Sequence, residues 1–275
     1  MGILSLILII ANVLVSYRGF KDSIFYNKYK FNVDAVLLYK DYKRLVTSGF
    51  LHVNWMHLIF NMLALYFFSG SIEMSLGPVK FLLIYFLSLI GGDLLSLFIH
   101  RHDGSYDSVG ASAGVSGLIY AAIALFPGMK IGLLFIPIGI PGWLFGLIYV
   151  LYSIYGIRSG RNNIGHDAHL GGALIGLIVA IIMHPSVVIT NTWPIVIIML
   201  PSVVFIYIII TRPHSLFIDN YFFNKHSNAT TIDHKYNIEK RSKEQEIDRI
   251  LEKIHKKGMK SLTDNERQML QEYSR

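Results

Sequence analysis

Ser112 and His169 are the two residues of this sequence whose types could support nucleophilic catalysis. Ser112 stands in the stretch Gly-Ala-Ser-Ala and His169 in Ala-His-Leu-Gly-Gly, and each stretch opens a run of uncharged, apolar residues. A polar side chain in such a run must find a hydrogen-bond partner or cost free energy in lipid. A histidine beside a serine can remove the hydroxyl proton and make the oxygen a nucleophile. The pair therefore predicts covalent hydrolysis inside a membrane.

Three further polar residues, His52, His57 and Asn61, lie upstream in a mostly apolar segment. His57 and Asn61 are four positions apart and would share one face of a helix. His52 precedes His57 by five positions, so we expect it on the loop or first turn that leads into this helix. All three side chains can donate hydrogen bonds to a developing oxyanion, which favours acyl transfer as the chemistry.

Metal and cofactor chemistry are not indicated by the sequence. The chain has no cysteine, no carboxylate close to His52 or His57 and no His-Glu-x-x-His motif. Zinc sites are normally built from such ligands, and thiolate chemistry needs cysteine. We therefore expect no metal and no cofactor.

The composition indicates that membrane helices position these residues. The 275 residues are 53% hydrophobic and 16% charged, whereas soluble domains carry about 25% charged residues. A membrane-spanning helix needs about 20 predominantly apolar residues. Seven apolar runs approach this length, at residues 2–17, 54–69, 79–99, 111–126, 131–155, 168–183 and 193–211. The sequence therefore predicts an all-α polytopic membrane helix bundle.

Small residues and prolines refine this prediction. Gly110 and Gly114, like Gly172 and Gly176, are spaced by four and would let helix backbones approach closely. Close approach would bring Ser112 and His169 within hydrogen-bond distance. The fifth run contains two prolines, which predict a kinked helix because proline removes a backbone donor.

The motifs and their order resemble the rhomboid intramembrane serine proteases, from Arg44 to about Met183. The matching positions are Arg44, His52-x4-His57-x3-Asn61, Glu73 twelve residues after Asn61, Gly110-Ala-Ser112, and Ala168-His169-Leu-Gly-Gly172-x3-Gly176. Lys43 stands where the family has an aromatic residue before Arg44. The resemblance implies a six-helix core, to which the run at 193–211 would add a seventh span.

The resemblance also implies roles for these residues. Ser112 would be the nucleophile and His169 the general base and acid. His52, Asn61 and the Ser112 backbone N–H would stabilise the oxyanion. Structural support would come from Arg44, His57, Glu73, Gly110, Gly172 and Gly176. Arg44 would tether the first loop, and Glu73 the connection between the second and third helices. No aspartate would complete a triad, because Asp167 is expected to cap the sixth span.

One departure from the family pattern leaves alternatives open. Ala113 stands where the family has glycine, and a literal Gly-x-Ser-Gly occurs one turn later around Ser116. We favour Ser112 because the family's downstream Gly-Leu then aligns with 117–118 without a gap. The leading hypothesis is a protease that cuts a peptide bond in or near the transmembrane segment of a membrane-protein substrate. The alternative is a weak or inactive rhomboid-like protein that binds membrane clients.

The chain is expected to divide into a membrane domain and a soluble tail. We predict a membrane domain at 1–211 with its rhomboid core at about 40–184, a linker at 212–237 and a helical tail at 238–275. The tail mixes basic and acidic residues, which favours a solvated helical unit over a nucleic-acid site. Within it, Thr263 and Glu266 predict a capping box. The expected partners are a transmembrane substrate and the lipid bilayer, and the expected location is a bacterial inner membrane. The sequence does not indicate an oligomeric state.

Overall fold

The structure is a computed structural model that describes residues 2–126, 128–133, 136–159 and 164–211, together with residues 250, 253, 254, 262, 263, 266 and 270 of the C-terminal tail. The chain forms two compact units, Met1–Asn224 and Lys225–Arg275. The predicted linker at 212–237 lies outside the described residues, and so does most of the predicted tail.

The first unit is built mainly from α-helices. They are α1 (Ile3–Lys21), α2 (Ser23–Tyr29), α3 (Val33–Leu37), α4 (Arg44–Thr47), α5 (Trp55–Leu76), α6 (Pro78–Ile99), α7 (Ser112–Leu125), α8 (Gly142–Ser159), α9 (His166–Met183), α10 (Val187–Thr190) and α11 (Thr192–Thr211). A 3₁₀ turn, Ser48–Phe50, follows α4. Five of the helices, α1, α5, α6, α9 and α11, are long and apolar enough to cross a membrane. This architecture confirms the predicted polytopic all-α fold.

The helix α7 is shorter than the spanning helices. Its 14 residues rise about 21 Å at 1.5 Å per residue, whereas the hydrocarbon core of a bilayer is about 30 Å thick. At least one end of α7 therefore lies inside the hydrocarbon core.

The fifth apolar run does not form the single kinked helix that the sequence predicted. The strands β3 (Lys130–Leu133) and β4 (Ile136–Pro141) form an antiparallel hairpin, and α8 begins only at Gly142. Pro137 and Pro141 cannot donate to a helical hydrogen-bond ladder, which accounts for the late start of α8. The prediction for residues 131–155 was therefore wrong in its first half.

Glycines on α9 allow it to pack directly on α7. A Cβ atom added to Gly172 would overlap the backbone of Ala113, and one added to Gly176 would overlap the backbone of Gly117. Both α7 and α9 also pack extensively against α6. The close approach expected from the Gly172 and Gly176 spacing is thus present, although Ala113 and Gly117 are the partners on α7.

Arg44 holds the first loop. Its guanidinium donates to the carbonyl oxygens of Asn27 at 2.9 Å and Lys30 at 2.7 Å, and to the Asp41 carboxylate at 3.0 Å. The same loop is joined to the segment before α7, because β1 (Phe31–Asn32) pairs with β2 (Asp107–Ser108). The tether expected of Arg44 is therefore present.

Glu73 has a different partner from the one expected. Its carboxylate accepts hydrogen bonds from the backbone N–H of Leu4 at 3.0 Å, from that of Ser5 at 2.9 Å and from the Ser5 hydroxyl. A carboxylate at a helix N-terminus satisfies unpaired N–H groups and stabilises the helix dipole. Glu73 thus anchors the start of α1 to α5, where a tether of the α5–α6 connection was expected.

In the tail, the described residues include the predicted capping box. The Thr263 N–H donates to Glu266 Oε2 at 2.7 Å, and the Glu266 N–H donates to Thr263 Oγ1 at 3.4 Å. Lys253 Nζ also lies 2.8 Å from the Glu266 carboxylate. These reciprocal hydrogen bonds are those of the predicted capping box.

Candidate active site

Ser112 and His169 are in hydrogen-bond contact. Ser112 is the first residue of α7, and its Oγ lies 2.7 Å from Nε2 of His169 in the first turn of α9. The close packing of α7 on α9 brings these two helix starts together. The contact has the geometry in which an imidazole can accept a serine proton.

The other ring nitrogen of His169 is also occupied. Tyr149 of α8 has its hydroxyl 3.0 Å from His169 Nδ1, and the two rings stack with centroids 6.1 Å apart and an interplanar angle of 20°. The Tyr149 hydroxyl lies 3.2 Å from Ser116 Oγ. Ser116, the alternative nucleophile of the sequence analysis, therefore contacts Tyr149. Nothing in the sequence pattern singled out Tyr149.

Gly110 shapes the segment that leads to Ser112. It lies before α7 with φ +137°, a conformation that favours glycine, and its N–H donates to the Ser48 carbonyl at 3.1 Å. A Cβ added here would lie 2.8 Å from the His57 ring and 3.5 Å from Ser112 Oγ. Gly110 thus makes room beside the serine, whereas its spacing to Gly114 predicted a helix-packing role.

A cavity of 1060 Å³ opens at this position. Its lining includes Ser112, His169, Tyr149, His57 and Asn61. Asn61 is buried, and its Nδ2 donates one hydrogen bond to the His57 carbonyl at 3.0 Å. A side-chain amide carries two N–H donors, and the bond to His57 uses one of them.

His52 is buried outside the lining of this cavity. Its Nδ1 lies 2.8 Å from Ser16 Oγ of α1, and its Nε2 accepts from the Ala111 N–H at 3.5 Å. Burial lowers the pKa of His52 to about 3, and the neighbouring His57 also lowers it. The ring is therefore neutral at physiological pH, with Nε2 as the acceptor. Of the three polar residues expected at an oxyanion site, the structure brings His57 and Asn61 to the cavity wall and places His52 behind it.

Asp167 does not act as the helix cap that the sequence predicted. Gly165 is the N-cap residue of α9, and the Asp167 carboxylate accepts from His100 Nε2 at 3.0 Å and from the Tyr106 hydroxyl at 3.4 Å. Burial, followed by the charge of Asp167, raises the pKa of Tyr106, which keeps this phenol protonated as a donor. Asp167 is thus held by the segment between α6 and α7.

Asp93 of α6 is linked through Ser48 to the serine segment, by which we mean the residues directly before Ser112. Ser48 donates from its Oγ to Asp93 Oδ2 at 2.8 Å, while the Ser48 carbonyl accepts from Gly110. This chain joins α6 to the residues before Ser112. Across the described part of the chain, no group of three His, Cys, Asp or Glu residues is arranged to hold a metal ion.

A model of the rhomboid domain matches residues 39–186, more than half of the chain. The chain belongs to the rhomboid family. A second model, of a family of unknown function (DUF6576), matches residues 230–275. The rhomboid match contains the Ser112–His169 pair and Tyr149, whereas α1 and α11 lie outside it.

Relatives of this rhomboid come from mitochondria and from bacteria. RHOMBOID-like protein 12, mitochondrial, of Arabidopsis thaliana is 30% identical over 64% of this chain and 56% of its own length. Rhomboid protease GlpG of Photorhabdus laumondii is 32% identical over 50% of this chain and 46% of its own length. Rhomboid protease AarA of Providencia stuartii is 33% identical over 54% of this chain and 59% of its own length. The chain therefore spans about half the length of these relatives.

The family establishes this rhomboid as a multi-pass membrane protein. It does not support the bacterial inner membrane expected from the sequence, because a mitochondrial relative stands beside the two bacterial ones.

Proposed function

We propose that this rhomboid is an intramembrane serine endopeptidase that hydrolyses a peptide bond in or near the transmembrane segment of a membrane-protein substrate. The observation that carries the proposal is the 2.7 Å contact between Ser112 Oγ and His169 Nε2 at the wall of a cavity. Two relatives bear the name rhomboid protease, which supports the same activity.

In the first half-reaction, Ser112 Oγ attacks the carbonyl carbon of the substrate peptide. His169 Nε2 takes the hydroxyl proton as the new C–O bond forms, and the carbonyl oxygen becomes an oxyanion. The imidazolium then gives this proton to the leaving nitrogen, and the C–N bond breaks. The products are an acyl-enzyme ester and a free amine.

The oxyanion needs donors on the cavity side of Ser112. We assign this role to the second Nδ2 hydrogen of Asn61, to the His57 ring and to the Ser112 backbone N–H. The first N–H groups of a helix lack intrahelical partners, and the helix dipole favours negative charge there. His57 replaces His52 in this assignment because, of these two histidines, only His57 is in the cavity lining.

The second half-reaction consumes water, which the hydrocarbon of a bilayer excludes. The cavity wall includes polar and charged side chains outside the helices, among them Lys30 and the β2 residues Asp107 and Ser108, which gives water a route to the ester. His169 removes a proton from this water, the hydroxide oxygen bonds to the acyl carbon, and Ser112 leaves with the proton returned by His169.

A substrate helix must also unwind before its peptide carbonyl can enter the site, because helical carbonyls are engaged in hydrogen bonds. In lipid, unwinding leaves polar backbone groups without partners. We therefore expect the substrate to carry small or helix-breaking residues near the cleaved bond.

The alternative function, client binding without cleavage, rests on Ala113. The methyl group of Ala113 packs against α6, where a Cβ added to Gly92 would lie 2.7 Å from it, and Ala113 is buried with Leu89 and Ala168. Gly92 thus makes room for the methyl group on the side of α6. This packing favours the protease over the inactive alternative.

The test is serine labelling and substrate cleavage with the full chain in detergent and in liposomes. A fluorophosphonate probe should label the wild type, and neither Ser112→Ala nor His169→Ala should be labelled or cut a reconstituted transmembrane substrate. Ser116→Ala should retain labelling. Binding of an uncut substrate by a wild type that neither labels nor cleaves would favour the inactive alternative.

A further inference from the structure

We infer that Tyr149 is a positioning residue for His169 and that Ser116 anchors Tyr149. Starting from the Ser112 hydroxyl, the hydrogen bonds run to His169, then to Tyr149 and then to Ser116. The inference rests on the proposed protease function and adds a residue from α8 to its machinery. The site would then consist of Ser112, His169, Tyr149 and Ser116, supplied by three helices.

The role of general base requires one tautomer of His169, because both of its partners are hydroxyl groups that can donate or accept. To accept the Ser112 proton, Nε2 must carry no hydrogen, so the single hydrogen of the neutral ring lies on Nδ1. Nδ1 therefore donates, and the Tyr149 hydroxyl oxygen at 3.0 Å is the acceptor. The opposite tautomer would place a hydrogen on Nε2 and leave the serine without a base.

The hydrogen of the Tyr149 hydroxyl determines the direction of the next hydrogen bond, from Tyr149 to Ser116. Because the Tyr149 oxygen accepts from Nδ1, its own hydrogen points elsewhere, and Ser116 Oγ lies 3.2 Å away as the acceptor. Ser116 thus sets the rotation of the Tyr149 hydroxyl. It lies one helical turn after Ser112, which places the nucleophile and the anchor on the same helix.

Ring packing holds Tyr149 in this position. The Phe145 ring stacks on the Tyr149 ring with centroids 6.0 Å apart, and the Tyr149 ring in turn stacks on His169. Stacked rings restrict the side-chain torsions of the imidazole, and a restricted base loses less entropy when the reaction begins. In a serine protease triad a carboxylate performs this orienting task.

The phenol acts without losing its proton. When His169 becomes an imidazolium, Nδ1–H still donates to the Tyr149 oxygen, and the hydrogen bond becomes charge-assisted and stronger. The stabilisation therefore grows toward the transition state, which raises kcat and leaves substrate binding unchanged. Asp167 cannot do this at His169, because its carboxylate is held by His100 and Tyr106.

The decisive variant is Tyr149→Phe, which removes the hydroxyl and keeps the ring. Turnover of a reconstituted transmembrane substrate should fall about tenfold to hundredfold, the size expected for one hydrogen bond to a charged group, and KM should not change. Ser116→Ala should give a smaller fall. In the double variant, Ser116→Ala should add nothing to the Tyr149→Phe effect, because the Tyr149 hydroxyl that Ser116 contacts is already absent.

Two tyrosines provide matched controls. Tyr152→Phe, on the same helix, alters an exposed residue and should turn over like the wild type. Tyr120→Phe removes a buried hydrogen bond to the Gly146 carbonyl at 2.6 Å, so it should lower thermal stability and leave kcat within about twofold. Loss of kcat in Tyr120→Phe equal to that in Tyr149→Phe would show a packing effect and overturn the inference.

The tautomer itself can be observed without turnover. In protein labelled with ¹⁵N-histidine, assigned by the signal missing from His169→Gln, wild-type His169 should show a protonated Nδ1 and an unprotonated Nε2. Tyr149→Phe should give a mixture of both tautomers. An unchanged spectrum together with unchanged turnover would refute the inference, and the spectrum decides it even if the wild type cleaves nothing.

Discussion

At the residue scale, the candidate site is a set of polar side chains that each have a defined partner. Ser112 and His169 contact each other, Asn61 is held by the His57 carbonyl, and His52 is held between Ser16 and Ala111. Buried polar groups that are fully hydrogen-bonded cost little, whereas an unpaired group costs about 1–3 kcal/mol. Most single substitutions here therefore change both stability and chemistry, and the two effects must be measured separately.

Asn61→Ala and His57→Ala should each lower kcat by about 10²–10³, the loss seen when one oxyanion donor is removed. Co-purification of an uncut substrate should stay near the wild-type level, because the oxyanion forms only in the transition state. His52→Gln, which keeps a polar group, should lower thermal stability more than it lowers kcat. A fully active His57→Ala beside a dead but folded His52→Gln would reverse our assignment of the two histidines.

Asp167→Asn should separate a dyad from a triad. The Asp167 carboxylate bonds to His100 and Tyr106, so the change should reduce the free energy of unfolding by about 1–3 kcal/mol. Turnover of the folded fraction should stay within a few-fold of the wild type. Loss of turnover comparable to that of His169→Ala, with the melting temperature preserved, would place Asp167 in the reaction.

The sequence located this site only in part, for a physical reason. Ser112, His169 and Asn61 were recognisable because each stands at a characteristic spacing in an apolar run. Helical periodicity could not show that His57, and not His52, lines the cavity. The orientation of His52 depends on Ser16, from a distant helix. Tyr149 gave no local signal at all, since its partners lie on α7 and α9.

At the element scale, the helices position the dyad by direct backbone contact. The Gly172 and Gly176 positions of α9 face the Ala113 and Gly117 backbone of α7, and no side chain separates them. The packing predicted from the Gly172 and Gly176 spacing was correct, whereas Gly110 and Gly114 face the side chains of His57 and Tyr85. The hairpin before α8 was not predicted, because a short apolar run containing Pro137 is compatible with a buried strand or a broken helix.

Gly172→Ala should disrupt the dyad through helix separation. The added methyl group would overlap the Ala113 backbone, which cannot rotate away, so α7 and α9 must move apart. Overpacking of this kind costs about 1–3 kcal/mol, and we expect slower fluorophosphonate labelling of Ser112 as well as a lower melting temperature. Gly132→Ala is the matched control, since its methyl group would meet nothing within 4 Å. Equal labelling rates in both variants would show that the contact does not set the Ser112–His169 distance.

At the scale of the whole molecule, the rhomboid-matched region is hydrogen-bonded to a helix outside it. The start of α1 is capped by Glu73 of α5, and the end of α1 places Ser16 against His52. His52 in turn accepts from the Ala111 N–H, directly before the nucleophile. A continuous set of hydrogen bonds therefore joins the first helix to the serine segment. The sequence predicted α1 as a span but could not indicate this connection, because both partners are distant in the chain.

Glu73→Gln tests whether the docking of α1 affects the site. The amide keeps one acceptor oxygen but loses the negative charge at the α1 N-terminus and one carboxylate acceptor, which should cost about 1–2 kcal/mol. With α1 held less firmly, Ser16 should leave His52 more often, and turnover should fall together with the melting temperature. Asp22→Asn is the control, because Asp22 caps α2 by accepting from the Phe25 N–H at 2.9 Å and touches neither Ser16 nor His52. It should reduce stability slightly and leave turnover intact.

Ser16→Ala should reproduce the loss of turnover of Glu73→Gln without releasing the start of α1, as monitored by limited proteolysis near residue 3. Wild-type turnover in both Ser16→Ala and Glu73→Gln would mean that α1 anchors the protein in the bilayer and has no influence on the serine segment.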